Sequence, residues 1–445
     1  MVHTFSVLGV NIAVDVNSGA VHVLDDLSYE LLQATGDCAD RMPELPGRNP
    51  EECRAAWAEL MVLKEQGLLF TDDDYVDPAM AVVKNAPVKA LCLHVSHDCN
   101  LRCKYCFAST GDFGTGRKTM PPEIAKKAID FVIAKSAGRQ NIEVDFFGGE
   151  PLMAMETVKQ TVDYARSIEK QYNKHFRFTI TTNGVGLNEE NIAYINREMG
   201  NCVLSLDGRK EINDRTRITP AGTGSYDIIV PKFKKLLETR GKEKDYYVRG
   251  TFTRANLDFA DDVLHIADLG FDSVSVEPVV SEPGTDYSLR KEDLPTIFAE
   301  YEKLAKTMLE RKDFNFFHFN VDLSQGPCVI KRMRGCGAGC EYVAVTPEGD
   351  IYPCHQFVGN PDYLMGNIND GTFDMSISDR FSALNIYTRE DCKHCWARFY
   401  CSGGCSASNL LVNGDIAKPH FVGCEMERKR LECAIAMKAI EAFEA

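Results

Sequence analysis

The chain has no excess of basic residues: its 445 positions hold 50 Lys and Arg against 65 Asp and Glu, a formal net charge of -15. A nucleic-acid surface needs a concentrated positive field, so that class of partner is excluded. No hydrophobic run is long enough to span a bilayer, which excludes a membrane helix. The opening Met1-Val-His-Thr-Phe5 lacks the basic segment of a secretory signal. A cytoplasmic, reducing setting is therefore expected, and the 17 cysteines of so long a chain are not read as a disulfide framework. There is no internal repeat of solenoid length and no low-complexity tract. The ten histidines, His94, His97 and His355 among them, show no metal-ligand spacing, so core or surface roles are expected. The length exceeds that of one ordinary domain, and two or three units with sizeable cores are expected.

What is present in quantity is cysteine in motifs. Cys99, Cys103 and Cys106 form Cys-x3-Cys-x2-Cys, three thiolates on one short loop and no fourth, with Tyr105 just before the last. Three thiolates hold a 4Fe-4S cluster with one iron left for another ligand. A structural zinc knuckle is the alternative, but it normally takes four protein ligands in paired spacing. Eight more cysteines, Cys336, Cys340, Cys354, Cys392, Cys395, Cys401, Cys405 and Cys424, crowd the last quarter of the chain, enough for two four-cysteine sites. Zinc competes for Cys392-x2-Cys395 taken alone, since thiolate affinity by itself does not choose between zinc and iron-sulfur.

Between residues 90 and 311 short apolar runs alternate with longer amphipathic ones, the pattern of parallel strands joined by crossover helices. Strands are expected at 90–95, 142–147, 176–181, 202–206, 247–252 and 273–277. Helices are expected at 121–136, 157–173, 189–199, 228–239, 259–269 and 291–311. Six units fall short of the eight of a closed barrel, and by the barrel rule chemistry belongs at the strand C-termini. Motifs fall there: Gly148-Gly149-Glu150-Pro151 after the second strand, Thr181-Thr182-Asn183-Gly184 after the third, Ser205-Leu206-Asp207-Gly208 after the fourth, and Glu277-Pro278 closing the sixth. As bare patterns these are turns, and turn capping is the ordinary role of such polar residues.

The first 80 residues read differently. Strands are expected at 4–8, 10–16 and 20–24 around the Asn17-Ser18-Gly19 turn, helices at 28–34 and 51–66, and a wing at 68–70. Thr71-Asp-Asp-Asp-Tyr-Val-Asp-Pro78 has the composition of a linker. A DNA-binding winged helix is disfavoured by the lack of a basic stripe; a plain packing domain stays open.

The cysteine loop with its preceding aromatic, the GGEP segment and the C-terminal cysteines together resemble the radical S-adenosylmethionine (SAM) enzymes with a SPASM extension that mature peptides, and most closely the maturases of SCIFF peptides, which are short cysteine-rich precursors. The resemblance implies an α/β fold: a partial (β/α)6 radical SAM barrel at 86–315, a SPASM domain at 316–445 and a winged-helix-like leader-peptide recognition element at 1–80 that adds the leader as a strand to an open edge. It implies SAM and three 4Fe-4S clusters as cofactors. Cys99, Cys103 and Cys106 would hold the SAM cluster. Cys392, Cys395, Cys401 and Cys424 would hold the second auxiliary cluster, and Cys340, Cys354 and Cys405 the first, its fourth ligand being Cys336, Cys328 or a substrate cysteine.

By the same resemblance Gly148, Gly149 and Glu150 would receive the SAM ammonium, Asn183 or Ser205 its ribose or carboxylate, and Arg217 the carboxylate through its planar fork. Glu277 would face substrate or cofactor. The implied activity is one-electron cleavage of SAM to a 5'-deoxyadenosyl radical, followed by joining of a cysteine sulfur to a carbon of another residue in a ribosomal precursor peptide. A low-potential donor such as ferredoxin or flavodoxin would supply electrons, in an organism of low oxygen. Formylglycine formation, epimerisation and carbon-carbon linkage are the alternative outcomes within the family, and a non-catalytic iron-sulfur electron carrier is the alternative outside it.

Overall fold

A computed structural model of the chain describes residues 1–37, 39–76, 87–323 and 333–444. The fourth-ligand candidate Cys328 and the boundary expected between the first two units, at 80–86, lie outside the described residues. Six parallel strands form the middle of the molecule: β4 (Ala90–His97), β6 (Asn141–Gly148), β7 (His175–Thr182), β8 (Asn201–Ser205), β9 (Asp245–Phe252) and β10 (Ser273–Pro278), side by side in the order β10-β9-β8-β7-β6-β4. They lie within three residues of where alternating hydrophobicity puts them. The short β5 (Lys118–Thr119) pairs with the end of β4.

The crossover helices are α3 (Pro122–Lys135), α4 (Met155–Tyr172), α5 (Glu189–Glu198), the short α6 (Lys210–Thr216) with α7 (Tyr226–Glu238), α8 (Phe259–Asp268) and α9 (Leu294–Glu310). Pro122 opens α3 where a missing N-H is harmless. The strands alternate sharply. Phe176, Phe178 and Ile180 of β7, Cys202 and Leu204 of β8, and Val248 and Phe252 of β9 are buried with the helices in one core. The residues between them, Arg177, Thr181, Ser205, Arg249 and Thr251, point the other way and give the inner face of the sheet a polar surface.

Local pattern does not reveal what flanks this sheet. β11 (Asn315–Phe316) adds in parallel to β10, and β12 (Tyr342–Val345), from the C-terminal cysteine-rich region, adds in parallel to β4. β13 (Asp350–Tyr352) and β14 (Gly366–Asn367) continue the sheet antiparallel. Beyond them come α10 (Met375–Ser382), two single turns at Glu390–Lys393 and Arg398–Cys401, α11 (Ser406–Asn413) and the 24-residue α12 (Phe421–Glu444), which lies against α9. No helix among the described residues is long and apolar enough to cross a membrane.

The N-terminal sheet is β1 (Val2–Val7), β2 (Val10–Asp15) and β3 (Val21–Leu24), antiparallel and in that order, followed by α1 (Asp26–Thr35) and α2 (Pro50–Glu65). β2 is covered on both faces. Ile12 and Val14 join the core shared with the barrel and α12, while Ala13 packs with Leu31, Leu32, Cys53, Leu60 and Leu69 under the two helices. The wing expected at 68–70 does not form: Leu69 is drawn into that small core, Phe70 adopts φ 56°, and neither pairs with a strand. Core burial of one leucine there outweighs the local β tendency.

Candidate functional site

Glycine packing builds the site. Gly148 (φ 118°) and Gly149 end β6 against the start of the cysteine loop, with Gly149 N-H donating to Ser96 O (2.8 Å) and Glu150 N-H to Asp98 O (2.9 Å). A β-carbon on Gly148 would collide with the Ser96 carbonyl, and one on Gly149 with the carbonyls of Asp98 and Gly111, all rigid backbone. On the other side of the loop Gly111 (φ 103°) would bring a β-carbon within 2.5 Å of Cys99 Cβ. Only glycine allows this approach. Gly149→Ala is accordingly expected to lower stability by about 1–3 kcal/mol, the range for overpacking, and to reduce iron retention at Cys99; thermal melting and iron analysis measure the two effects.

The loop's backbone is tied down independently of its thiols. Arg102 N-H donates to Ile218 O (2.7 Å), just beyond α6, and Lys104 N-H to Thr216 O (3.0 Å), the last residue of α6. Tyr105 does more than precede a cysteine. Its hydroxyl lies 2.9 and 2.7 Å from the two carboxylate oxygens of Asp207 and accepts from Arg217 Nη1 at 3.0 Å, and Arg217 approaches Asp207 at 3.8 Å. Thr251 N-H and the Thr216 hydroxyl also donate to Asp207. Burial pushes the Asp207 carboxyl up, against the pull of Arg217 and these donors. Arg217 thus stands beside the loop with its Nε unpartnered among the described residues, and its charge has an internal counterion.

Glu150 is buried and already employed: it accepts from Leu152 N-H (3.0 Å), Thr182 Oγ1 (2.7 Å) and Asn183 N-H (2.8 Å), so that it fastens the end of β7 to the end of β6. Asn183 in turn reaches the cysteine loop, with Nδ2 2.8 Å from Asn100 Oδ1 and 3.5 Å from Cys99 Sγ. Ser205 ends β8 in register with Arg249 of β9. Arg249 pairs with Glu277 at the tip of β10. Their side chains are 46% and 35% exposed, so they face open space at the strand ends. Behind them His318 bridges to Arg430 of α12 (3.0 Å) and to Ser275 (3.0 Å).

The C-terminal cysteines come together in two groups. Cys392, Cys395, Cys401 and Cys424 line one cavity. Cys336, Cys340, Cys354 and Cys405 form the other: Cys336 and Cys354 lie within the electrostatic reach of Cys405, and Cys340 and Cys354 within that of Cys336. Burial pushes the thiols up: Cys99 and Cys392 to about 11, Cys103 and Cys401 to about 12. Crowded, desolvated thiols that resist ionisation are what a multiply charged iron centre would relieve, since metal binding takes thiolate and releases protons. Among the described residues no three Cys, His, Asp or Glu converge as ligands of a single metal ion. The four thiols that line one cavity are a donor set of the kind a four-iron cluster takes.

Two histidines behave as expected of core residues. His94 and His97 are fully buried and bonded to each other at 3.1 Å. His355, for which a core or surface role is the expectation from sequence, does more than fill the core, and His318 is not singled out there. His355 directly follows Cys354, its ring lies 5.4 Å from that of Phe107 and 5.0 Å from that of Phe147, and Nδ1 is 3.3 Å from the Tyr342 hydroxyl. It thus joins the cysteine loop, the end of β6 and the first C-terminal cysteine group. Burial and Arg249 push it down to about 4. Its position next to a motif cysteine was the available signal.

Comparison with known proteins bears on this arrangement. A family model described as a 4Fe-4S single cluster domain matches residues 89–230, and one described as the SPASM iron-sulfur cluster-binding domain matches residues 336–396. The chain is 25% identical over 334 residues to a cysteine-type anaerobic sulfatase-maturating enzyme of Clostridium novyi, covering 70% of this chain and 85% of the relative. It is 28% identical over 342 residues to a mycofactocin maturase of Mycobacterium ulcerans, covering 74% and 85%. In fold it is similar to Streptococcus suis SuiB bound to its precursor peptide SuiA, with a TM-score of 0.56 and 17% identity over 93% of this chain and 96% of that one.

Proposed function

We propose, from the premise that this chain belongs to the radical SAM/SPASM family, that it installs thioether cross-links between a cysteine sulfur and a carbon of another residue in a ribosomally made, cysteine-rich precursor peptide. Membership itself makes it a SAM-dependent iron-sulfur enzyme of the kind that modifies peptides or proteins. The substrate class, the bond formed, three clusters and the residue assignments are our reading. When bound, SAM and its cluster supply a one-electron cleavage that yields methionine and a hydrogen-abstracting 5'-deoxyadenosyl group.

The chain's own residues have distinct tasks in this reading. Cys99, Cys103 and Cys106 hold the SAM cluster, and Gly148, Gly149 and Glu150 keep the ends of β6 and β7 against it, leaving backbone for the SAM ammonium. Asn183, Ser205 and Arg217 stand at the strand tips for the ribose and carboxylate. Cys392, Cys395, Cys401 and Cys424 hold the second auxiliary cluster. Cys340, Cys354 and Cys405 hold the first, and the grouping supports Cys336 as its fourth ligand. A low-potential protein such as ferredoxin or flavodoxin delivers the electron.

The observation that carries the peptide substrate is at the N-terminal sheet. β3 is an edge strand, paired among the described residues only with β2, and it opens on a groove of about 930 Å³ walled by α2, by residues 321–323 and by the end of α12. An extended peptide binds such an edge by main-chain hydrogen bonds, with side chains in the groove. Val23 (37% exposed) and Phe443 (76% exposed) are apolar points on its walls. Val23→Asp and Phe443→Asp are expected to weaken leader binding about tenfold each, ~1.4 kcal/mol, with dithionite-driven SAM cleavage unchanged. Calorimetric titration of a leader peptide checks the first and 5'-deoxyadenosine assay the second; undiminished affinity in both variants would remove the groove from the reading. Deleting the whole segment is a poorer test, because Phe5, Val7, Ile12 and Val14 belong to the shared core. Formylglycine formation is the second reading, favoured by the likeness to a sulfatase-maturating enzyme.

A further inference from the structure

The second cysteine group has a wall supplied by a residue whose charge is held from the other end of the chain. Arg398 lies on the single turn between Cys395 and Cys401 and lines their cavity, with only 4% of its surface exposed. Nη1 donates to Lys393 O at 2.8 Å. Nη2 donates to Asn17 Oδ1 at 2.6 Å and to Asp73 Oδ2 at 2.9 Å. Both acceptors are themselves fixed: Asn17 Nδ2 donates to Thr71 O (2.7 Å), and the Tyr387 hydroxyl donates to Asp73 Oδ1 (2.8 Å). Next to it Trp396 is stacked by His3 of β1 at 4.0 Å and 6°. The N-terminal domain therefore grips two of the five residues between Cys395 and Cys401, Trp396 by stacking and Arg398 by hydrogen bonds.

One donor of this guanidinium is left over. Arg398 Nε-H is buried and has no acceptor among the described residues, although a buried charged donor left unmade is expensive. The cavity that Arg398 lines, ringed by four thiols, is the place where an acceptor would arrive. Sulfur of an iron-sulfur cluster accepts such bonds, and hydrogen bonds to cluster sulfur are among the factors that set its reduction potential.

Resting on the cluster assignment above, we propose that Arg398 Nε-H donates to a sulfur of the second auxiliary cluster, and that Asn17 and Asp73 of the N-terminal domain act as positioning residues that aim it. Donation and the buried positive charge both favour the reduced, more negative cluster, so they raise its potential. The domain that receives the leader thereby helps set how readily this cluster holds an electron.

The test is an EPR-monitored redox titration of the full-length, anaerobically reconstituted protein, with the second auxiliary signal identified by its disappearance in Cys424→Ser. Arg398→Gln is expected to shift that potential downward and alter the line shape, leaving the other two clusters unmoved. Asn17→Ala is expected to give a smaller shift of the same sign, Asp73→Asn an altered line shape in the same cluster with its potential moved upward by the lost carboxylate charge and downward by the lost aim, and Arg398→Lys, which restores the charge without the Nε-H, a shift between wild type and Arg398→Gln. If Arg398→Gln does not fold, the two N-terminal variants carry the test alone. An unchanged potential and spectrum in Asn17→Ala, Asp73→Asn and any folded Arg398 variant would overturn the proposal. A wild-type protein with only eight irons would overturn the cluster assignment beneath it.

Discussion

Replacing Cys99, Cys103 and Cys106 together with alanine is expected to remove about four of about twelve irons per chain and to abolish 5'-deoxyadenosine formation, while leaving the protein folded. The reason for the first two effects, in the reading proposed above, is ligand count: three thiolates would be all the protein offers this cluster, and without them there would be no iron for SAM to occupy. Folding should survive because the loop's backbone does not depend on the thiols. It is held at Arg102 and Lys104 by carbonyls of residues 218 and 216, by Tyr105 on Asp207, and by the close approach of Gly149 to Asp98. The eight C-terminal cysteines lie on separate elements and should keep their share of iron. Anaerobic iron and sulfide analysis, circular dichroism and a chromatographic assay for 5'-deoxyadenosine measure the three parts. Zinc instead of iron in the reconstituted wild-type protein would refute the cluster reading at once.

The parts of this molecule that could be read in the chain are those whose causes are local. The six parallel strands are legible because one face of each must meet helices and the other must not, as in Phe176, Phe178 and Ile180 against Arg177 and Thr181. GGEP is legible as a motif, but its physical task is not: the carbonyls that exclude a β-carbon at Gly149 belong to residues 98 and 111. Nor could the chain disclose that Glu150 would be bonded to Thr182 and Asn183, or that Arg217 would share Asp207 with Tyr105.

Long-range features are the least legible. β12 joins β4 across about 250 residues of chain, and the hydrogen bond between Asn17 and Arg398 closes a separation of 381. No periodicity announces such pairings, because each partner alone is unexceptional, an apolar strand in the first case and a polar side chain in the second. The wing at 68–70 failed for a related reason: the destination of Leu69 was fixed by a core assembled from residues 13–60 rather than by its neighbours.

A cysteine-rich precursor incubated with enzyme, SAM and reductant is expected to lose two hydrogens per bridge, because one S-H and one C-H are replaced by one S-C bond. The balance is explicit. The hydrogen atom from carbon leaves in 5'-deoxyadenosine, the thiol proton goes to solvent, and the remaining electron needs an acceptor close to the new bond. The first C-terminal cysteine group is suited to that place. Cys354 is followed by His355, whose ring touches Phe107 beyond the SAM loop and Phe147 before GGEP, so this group adjoins the reaction space at the strand ends. Replacing Cys340, Cys354 or Cys405 with alanine should therefore abolish the bridge, with at least a hundredfold loss of product or ~2.7 kcal/mol in the barrier, yet leave a measurable part of 5'-deoxyadenosine formation. A disulfide in the product would show the same mass loss, so the sample is reduced and alkylated before mass spectrometry. A thioether survives reduction and its sulfur resists alkylation, whereas a disulfide does neither. Full bridging by soluble variants that lack this cluster would separate the group from bond formation. A formylglycine or epimerised product would give the substrate radical a different fate while leaving the SAM loop, the barrel and the groove in the roles assigned to them.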